Sequence, residues 1–342
     1  MVNKLYLVTP RGFCAGVEMA IKALHWLIKI YDETIYCYHE IVHNKWIVRE
    51  FEKNNVIFVE DPSEIPEGSI VMLSAHGTAP DVEEQFNDIS ALTINSVCPL
   101  VTKVHHEAKN FSKENIQIIY VGHKNHDESK GALGVAPENM HLVEKIEDVE
   151  NLDIGTDVAL LAQTTLAKSE WEPIMEYSKN KYKQLKMPRK SDLCYATTNR
   201  QEAILEILPK VGSVLVVGSE NSSNTKALVS MVQNKGTTAC RVENVTDLDG
   251  ISLKGNIAIT AGASAPDHIV YEIIDKINPI NLEYFNLKEE VEYFPLPQQL
   301  RKNIKLISNF LNNFNESVRK PDATLGVSND KDWTATEALN SL

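Results

Sequence analysis

The chain has 342 residues, of which 43% are hydrophobic and 24% are charged, a composition typical of soluble globular proteins. At roughly 150 residues per domain, this length predicts two or three domains. Acidic residues outnumber basic ones 47 to 34, so the formal charge is −13, which disfavours a nucleic-acid or membrane-surface partner. No segment approaches 18 consecutive apolar residues, and the first residues lack a signal peptide's apolar centre. We therefore expect a cytoplasmic protein without a membrane span.

Short β-branched runs alternate with helix-like segments along the chain, which predicts α/β units with parallel strands. Four elements recur three times in the same order. The first brings a cysteine to the start of a helix, at Cys14, Cys98 and Cys194. The second is a strand leading to a polar loop at His43, His126 and Ser222. The third is a strand ending in Val-Glu, at residues 59–60, 143–144 and 242–243. The fourth is a strand followed by small polar residues near His76, Thr164 and Ser264.

The spacing of these elements indicates a threefold repeat. The first two cysteines are 84 residues apart and the last two are 96 apart, and the second and third elements keep this spacing to within three residues. We therefore predict three similar four-stranded α/β domains with small, mostly parallel sheets, at residues 1–95, 96–190 and 191–290.

The composition changes in the C-terminal segment, residues 291–342. Ile304, Ile307, Leu311 and Phe314 are spaced 3, 4 and 3 residues apart, which predicts an amphipathic helix. The remainder, from Glu316 to Leu342, is rich in Ser, Asn, Asp and Thr, and we expect a loosely ordered, flexible tail there.

The repeated cysteines favour a metal centre. Ligands of open α/β sheets bind beyond the carboxyl ends of the strands, so three inward-facing domains would bring these residues to one point. A helix N-terminus stabilises a thiolate, and three thiolates without a fourth suit a metal with one open coordination position. An iron–sulfur cluster and a zinc ion with an exchangeable water both meet this description. Cys37 and Cys240 lie within strand patterns and are interpreted as core thiols.

Other polar residues at matched repeat positions favour a phosphate or diphosphate ligand, because neutral donors at helix N-termini bind such anions. They are His43, His76 and His126, with Ser222, Ser223, Asn224 and Ser264 as counterparts in the third copy. Neither a Walker-type lysine nor a GxGxxG motif follows the first strand, so nucleotide binding is not indicated. Glu128, two residues after His126, is a candidate proton donor, and Thr164 is a candidate for orienting a substrate oxygen.

Seven short motifs carry a family resemblance. They are PRGFCAGV (10–17), EIVHN (40–44), SAHG (74–77), CPLVTKVH (98–105), QTTL (163–166), CYATTNRQ (194–201) and NSSN (221–224). In this order they resemble the 4-hydroxy-3-methylbut-2-enyl diphosphate reductase (IspH/LytB) family, from residue 5 to about residue 301.

The resemblance implies a pseudo-threefold trefoil of α/β domains around one central [4Fe–4S] cluster per chain. It implies reductive dehydroxylation of (E)-4-hydroxy-3-methylbut-2-enyl diphosphate to isopentenyl and dimethylallyl diphosphate, the last step of the non-mevalonate isoprenoid pathway. A ferredoxin or flavodoxin would supply the two electrons, since the chain has no flavin or nicotinamide motif.

The same resemblance implies roles for individual residues. Cys14, Cys98 and Cys194 would hold three irons of the cluster, and the fourth iron would bind the substrate hydroxyl. Glu128 would donate the proton that lets this hydroxyl leave as water, and Thr164 would help to orient it. The diphosphate would be held by His43, His76, His126, Ser222, Ser223, Asn224 and Ser264.

Two alternatives use the same residues differently. A non-redox protein with a tri-thiolate zinc keeps the three cysteines together but needs no diphosphate pocket. A catalytically silent diphosphate-binding module keeps the pocket but does not depend on Glu128.

Overall fold

The computed structural model describes residues 1–314, 330–331 and 333–342, with side chains through residue 309 in the first of these ranges. The strands in the described residues are β1 (Val2–Thr9), β2 (Ile35–Tyr38), β3 (Val56–Val59), β4 (Ile70–Leu73), β5 (Leu92–Asn95), β6 (Gln117–Val121), β7 (Met140–Val143), β8 (Val158–Ala162), β9 (Ser213–Val217), β10 (Thr238–Val242), β11 (Gly255–Ala261) and β12 (Asn281–Asn286).

The α-helices alternate with these strands along most of the chain. They are α1 (Ala15–Ile30), α2 (Lys45–Glu52), α3 (Pro80–Ile89), α4 (Pro99–Lys113), α5 (Asp127–Val135), α6 (Ile146–Glu150), α7 (Lys168–Lys181), α8 (Tyr195–Ile207), α9 (Ser223–Asn234), α10 (Asp267–Ile277), α11 (Gln298–Phe314) and α12 (Ala335–Asn340).

The strands form three small sheets in which every pairing is parallel. Their strand orders are β3-β2-β4-β5, β7-β6-β8 and β10-β9-β11-β1-β12. Strands β4 and β8 are buried along their whole length, because helices cover both faces of a parallel sheet. The prediction of three α/β units with small parallel sheets is thus confirmed, although the sheets have four, three and five strands instead of four each.

The segment before each cysteine pairs with the sheet of the preceding repeat. β5, which leads to Cys98, pairs with β4, and Lys186, which precedes Cys194, forms a bridge with Ala159 of β8. By the same rule β1, which leads to Cys14, pairs with β11 of the third repeat. By sequence β1 belongs to the 1–95 unit, but it is a strand of the third sheet. The sheets therefore do not coincide with the predicted units. β12 adds a fifth strand beside β1.

The C-terminal segment contains the predicted helix and a second one. α11 covers the predicted positions, with Ile304 buried and Ile307 39% exposed; the side chains of Leu311 and Phe314 lie outside the described residues. Residues 316–329, predicted as part of the tail, also lie outside them. The end of the chain departs from that prediction, because α12 packs on α1.

Two features attach α12 and the residues before it to α1. Ala335 and Ala338 are buried in the same apolar core as α1. The buried Lys22 Nζ donates to the carbonyl oxygens of Asp330 at 2.8 Å and Trp333 at 2.9 Å. These contacts join residues about 310 positions apart, and the composition of a segment does not reveal them. The polar composition of this segment therefore indicated a tail. None of the helices in the described part of the chain combines the length and apolar character needed to cross a bilayer.

Candidate active site

The loops at the carboxyl ends of the strands surround one cavity with a volume of about 100 Å³. All the predicted site residues line it. They are Cys14, His43, His76, Cys98, His126, Glu128, Thr164, Cys194, Ser222, Ser223, Asn224 and Ser264. The fold places residues separated by up to 250 positions in one site.

The three cysteines occupy equivalent positions, each as the N-cap of a helix: α1, α4 and α8. Each cysteine N–H donates to a carbonyl in the loop that follows β11, β4 or β8, the fourth recurring element of the preceding repeat. The acceptors are Ala263 for Cys14 at 3.1 Å, Ala75 for Cys98 at 3.0 Å and Thr164 for Cys194 at 2.9 Å. These three hydrogen bonds repeat the threefold arrangement of the sheets at the centre of the molecule.

Gly16 shows how closely two of the sulfurs approach each other. A Cβ at this position would lie 2.9 Å from Cys98 Sγ and 3.9 Å from Cys14 Sγ, so the two sulfurs are within about 7 Å of each other. A distance of 2.9 Å is too short for a contact between a methyl carbon and a sulfur. Glycine at position 16 therefore keeps the space beside the two sulfurs free of side-chain atoms.

The surroundings of the three thiols require a compensating positive charge for ionisation. Burial raises the pKa of Cys14, Cys98 and Cys194, and neighbouring sulfurs raise the pKa of Cys98 and Cys194 further. Backbone N–H groups in the first turn of each helix act in the opposite direction on these pKa values. A metal among the sulfurs would supply the missing charge, since ligating thiols are deprotonated.

Three imidazole rings form the opposite part of the cavity. His43 and His76 stack with centroids 3.8 Å apart, and His126 stands nearly perpendicular to them at 5.0 and 6.0 Å. His43 Nε2, His76 Nδ1 and His126 Nε2 are buried without a hydrogen-bond partner among the described residues. His126 Nδ1 accepts from the Glu128 N–H at 3.1 Å, so the neutral ring carries its proton on Nε2 as an unused donor.

Two of these rings, those of His76 and His126, are held in the neutral form. Burial, together with the neighbouring His43, lowers the pKa of His126 to about 3, and burial with the neighbouring imidazoles holds the pKa of His76 well below its usual value. An anion between the rings would reverse this effect, because it stabilises imidazolium. The three histidines are therefore suited to bind an anionic group, with uptake of protons by the imidazoles on binding.

The third repeat contributes short polar side chains beside the N-terminus of α9. Ser222 is its N-cap, and Ser223 Oγ accepts from Thr165 Oγ1 at 3.2 Å. Asn224 Oδ1 accepts from the Ala263 N–H at 3.0 Å, and Ser264 Oγ donates to the His43 carbonyl at 3.0 Å. Free N–H groups and the helix dipole favour an anion at this end of the cavity.

Glu128 is a buried carboxyl that lines the same cavity, with 2% of its surface exposed. Its Oε1 accepts from the Thr164 N–H at 2.7 Å and its Oε2 from Thr164 Oγ1 at 3.0 Å. Burial raises the pKa of Glu128 to about 7, although both Thr164 hydrogen bonds act to lower it. Near neutral pH this carboxyl is therefore able both to hold and to release a proton.

Two further threonines line the cavity but were not among the predicted site residues: Thr165 and Thr197. Thr197 lies three positions after Cys194 in α8, so the helical repeat places both on one face and would have identified it. Thr165 reaches the site through its contact with Ser223, which the sequence does not show.

A wider cavity of about 730 Å³ adjoins the site at its histidine end. The two cavities share His43, His126 and Ser223, and the wider one is also lined by charged residues such as Lys124 and Lys226. The histidine end of the site is thus continuous with an outer, more polar space.

Comparison with known proteins gives a consistent result. The family model described as LytB protein matches residues 5–278. The chain is 42% identical over 311 residues to the 4-hydroxy-3-methylbut-2-enyl diphosphate reductase of Cutibacterium acnes, covering 88% of this chain and 95% of that protein. It is 39% identical over 314 residues to the enzyme of the same name from Streptomyces coelicolor, covering 89% and 92%.

A solved structure is also similar. The E-1-hydroxy-2-methyl-but-2-enyl-4-diphosphate reductase from Plasmodium falciparum aligns with a TM-score of 0.85 and 34% sequence identity. The alignment covers 90% of this chain and 100% of that one.

Proposed function

The chain belongs to the LytB family of reductases, and from this premise we propose that it converts (E)-4-hydroxy-3-methylbut-2-enyl diphosphate to isopentenyl and dimethylallyl diphosphate. The reaction consumes two electrons and two protons and releases the substrate hydroxyl as water. The observation that supports it is one cavity lined by three helix-capping cysteines, three imidazoles and a buried carboxyl. A cytoplasmic location belongs to the same proposal.

The cysteine end fits a [4Fe–4S] cluster held by three protein thiolates. Cys14, Cys98 and Cys194 are buried N-caps in equivalent positions, and Gly16 keeps the space between two of their sulfurs free of side-chain atoms. When bound, such a cluster supplies electrons one at a time and a coordination position that no protein ligand occupies.

The histidine end would bind the diphosphate. The ring nitrogens His43 Nε2, His76 Nδ1 and His126 Nε2, buried without a hydrogen-bond partner among the described residues, provide polar groups that are able to bind it. Ser222, at the N-terminus of α9, adds a hydroxyl and the positive end of the helix dipole. With the diphosphate at this end, the hydroxyl-bearing end of the substrate lies toward the cysteines.

Glu128 would provide the proton for the departing hydroxyl. It is buried in the same cavity, and its pKa of about 7 keeps a substantial fraction protonated at neutral pH. The two hydrogen bonds from Thr164 fix the orientation of the carboxyl, and Thr164 Oγ1 lies next to the oxygen that would release the proton. The electrons would come from a ferredoxin or flavodoxin, which belongs to the proposal as the external donor.

Metal analysis tests the cofactor. Protein purified without oxygen is expected to contain iron and acid-labile sulfide in equal amounts, and to lose both in Cys194→Ser. Cys240→Ser is the matched control, because Cys240 lies in strand β10 and does not line the cavity. Zinc without sulfide would instead favour the tri-thiolate zinc alternative.

An activity assay tests the reaction. With reduced methyl viologen as electron source, the cluster-loaded protein is expected to consume the allylic diphosphate and to form both C5 diphosphates. Tight binding of the diphosphate by iron-loaded, reduced protein without turnover would overturn the proposed reaction and favour the silent binding module.

A further inference from the structure

Arg200 is a fully buried cation for which the proposed reaction requires no role. It lies in α8, six residues after Cys194, and its side chain is 0% exposed. Its Nη2 donates to the Gly12 carbonyl at 2.7 Å, and its Nη1 donates to the Ala196 carbonyl at 2.8 Å. It therefore joins a residue two positions before Cys14 to a residue two positions after Cys194.

A single carboxylate balances this charge. Arg200 Nη1 lies 3.0 and 3.1 Å from the two carboxylate oxygens of Glu290, whose side chain is 14% exposed. Asn199 Nδ2 also donates to Glu290, at 3.1 Å. Glu290 follows β12, so the C-terminal side of the third sheet supplies the counter-charge for a cation beside two cysteine loops.

The pair acts electrically on the cysteines that it joins. The guanidinium of Arg200 donates to the Gly12 and Ala196 carbonyls, each two residues from a cysteine, and the Glu290 carboxylate lies against the same guanidinium. Charges interact strongly in such buried surroundings, because the effective dielectric constant is far below that of water. Arginine suits this position better than lysine, since its planar fork serves two carbonyls and a carboxylate at once.

We propose that Arg200 and Glu290 form a buried charge pair that positions the Cys14 and Cys194 loops and sets the reduction potential of the cluster these cysteines hold. The inference rests on the proposed function. Reduction adds negative charge to the cluster, so Arg200 favours the reduced form and Glu290 opposes it. Both are positioning residues, because their contacts are with main-chain carbonyls, with Asn199 and with each other.

Full-length protein purified without oxygen provides the test, with the midpoint potential measured by a redox titration followed by absorbance and electron paramagnetic resonance. Glu290→Gln leaves the guanidinium without its counter-charge and is expected to raise the potential. Arg200→Met leaves the carboxylate beside the cysteines and is expected to lower it. A tenfold change in the one-electron equilibrium corresponds to about 59 mV, and we expect shifts of this order.

Two further variants separate charge from structure. Arg200→Lys keeps the charge but not the fork, so it is expected to hold the potential near that of the wild type while retaining less iron. Glu289→Gln is the matched control, because Glu289 is the exposed neighbour of Glu290 and is expected to leave the potential unchanged. If Arg200→Met does not fold, Glu290→Gln against Glu289→Gln still decides the question.

The outcomes distinguish this inference from the proposed function. Opposite shifts in Glu290→Gln and Arg200→Met support the charge pair, whereas equal potentials in cluster-loaded Glu290→Gln and wild type would overturn it. A shift in the same direction in both variants would also overturn it. An effect of charge reverses when the charge that is removed has the opposite sign, whereas an effect of structural disturbance does not depend on that sign. Wild-type protein without iron and sulfide would overturn the proposed cofactor itself.

Discussion

Replacing Glu128 with glutamine removes one ionisable proton while keeping the size of the side chain. The amide oxygen of glutamine is able to accept from the Thr164 N–H, and its NH₂ group is able to donate to Thr164 Oγ1, so both contacts are preserved with one direction reversed. We expect diphosphate binding and cluster content to stay near those of the wild type.

The expected loss of turnover follows from the burial of Glu128. With its pKa at about 7, half of the molecules carry the proton at pH 7, whereas with the ordinary value of 4.5 only about one in 300 would. A positioned general acid contributes about 10²- to 10⁴-fold to the rate. We therefore expect kcat to fall by this factor, or about 3–5 kcal/mol of activation free energy, with little change in KM.

The dependence on pH gives a second, independent result. In the wild type, kcat is expected to fall as pH rises through about 7, because the carboxyl loses its proton, and this limb is expected to disappear in Glu128→Gln. Glu144→Gln is the control, since Glu144 is an exposed carboxyl of the outer cavity. A variant that keeps at least a tenth of wild-type kcat with an unchanged pH profile would refute the role of Glu128.

The stability of the fold is expected to depend on pH through the same carboxyl. The pKa of Glu128 is higher in the folded protein than in the unfolded chain, so its favourable contribution is full below pH 4.5 and is lost as pH rises through about 7. The shift corresponds to about 3 kcal/mol. Between pH 5 and pH 8 the metal-free wild type should therefore lose more unfolding free energy than metal-free Glu128→Gln, as measured by urea denaturation; equal losses would argue against a raised pKa.

Three further predictions follow from single contacts. Thr164→Val removes a hydrogen bond that lowers the pKa of Glu128, so the high-pH fall in kcat is expected to move to higher pH; a shift to lower pH would contradict this assignment. Pyrophosphate binding is expected to take up protons between pH 6 and 8, because the anion raises the low pKa of His126. Titration calorimetry in buffers of different ionisation enthalpy measures this uptake, and binding should weaken as pH rises; a heat independent of the buffer would exclude it. Gly16→Ala would bring a methyl carbon to 2.9 Å from a cysteine sulfur, so we expect loss of iron without unfolding, while Gly212→Ala, where the nearest atom is 4.0 Å away, should retain its iron.

Much of the architecture was accessible from the sequence because it depends on neighbouring residues. The repeated order of strand, polar loop and helix predicted three α/β units, and the structure has three parallel sheets. Each predicted cysteine is an N-cap, which follows from the strand-turn-helix pattern around it. The α12 helix was missed because its six residues form a helix through contacts with α1, and local composition does not encode such contacts.

The sequence by itself determined the number of repeats, the residue types at the ends of the strands and their chemistry, since these depend on spacing and on side-chain identity. Tertiary structure alone decided that β1, from the first repeat, pairs with β11 of the third repeat. It also decided that Arg200 reaches the Gly12 carbonyl and that Glu128 is buried enough to hold a proton near neutral pH. Strand pairing, buried charge and pKa depend on groups that are far apart along the chain, and only the folded molecule brings those groups within reach of one another.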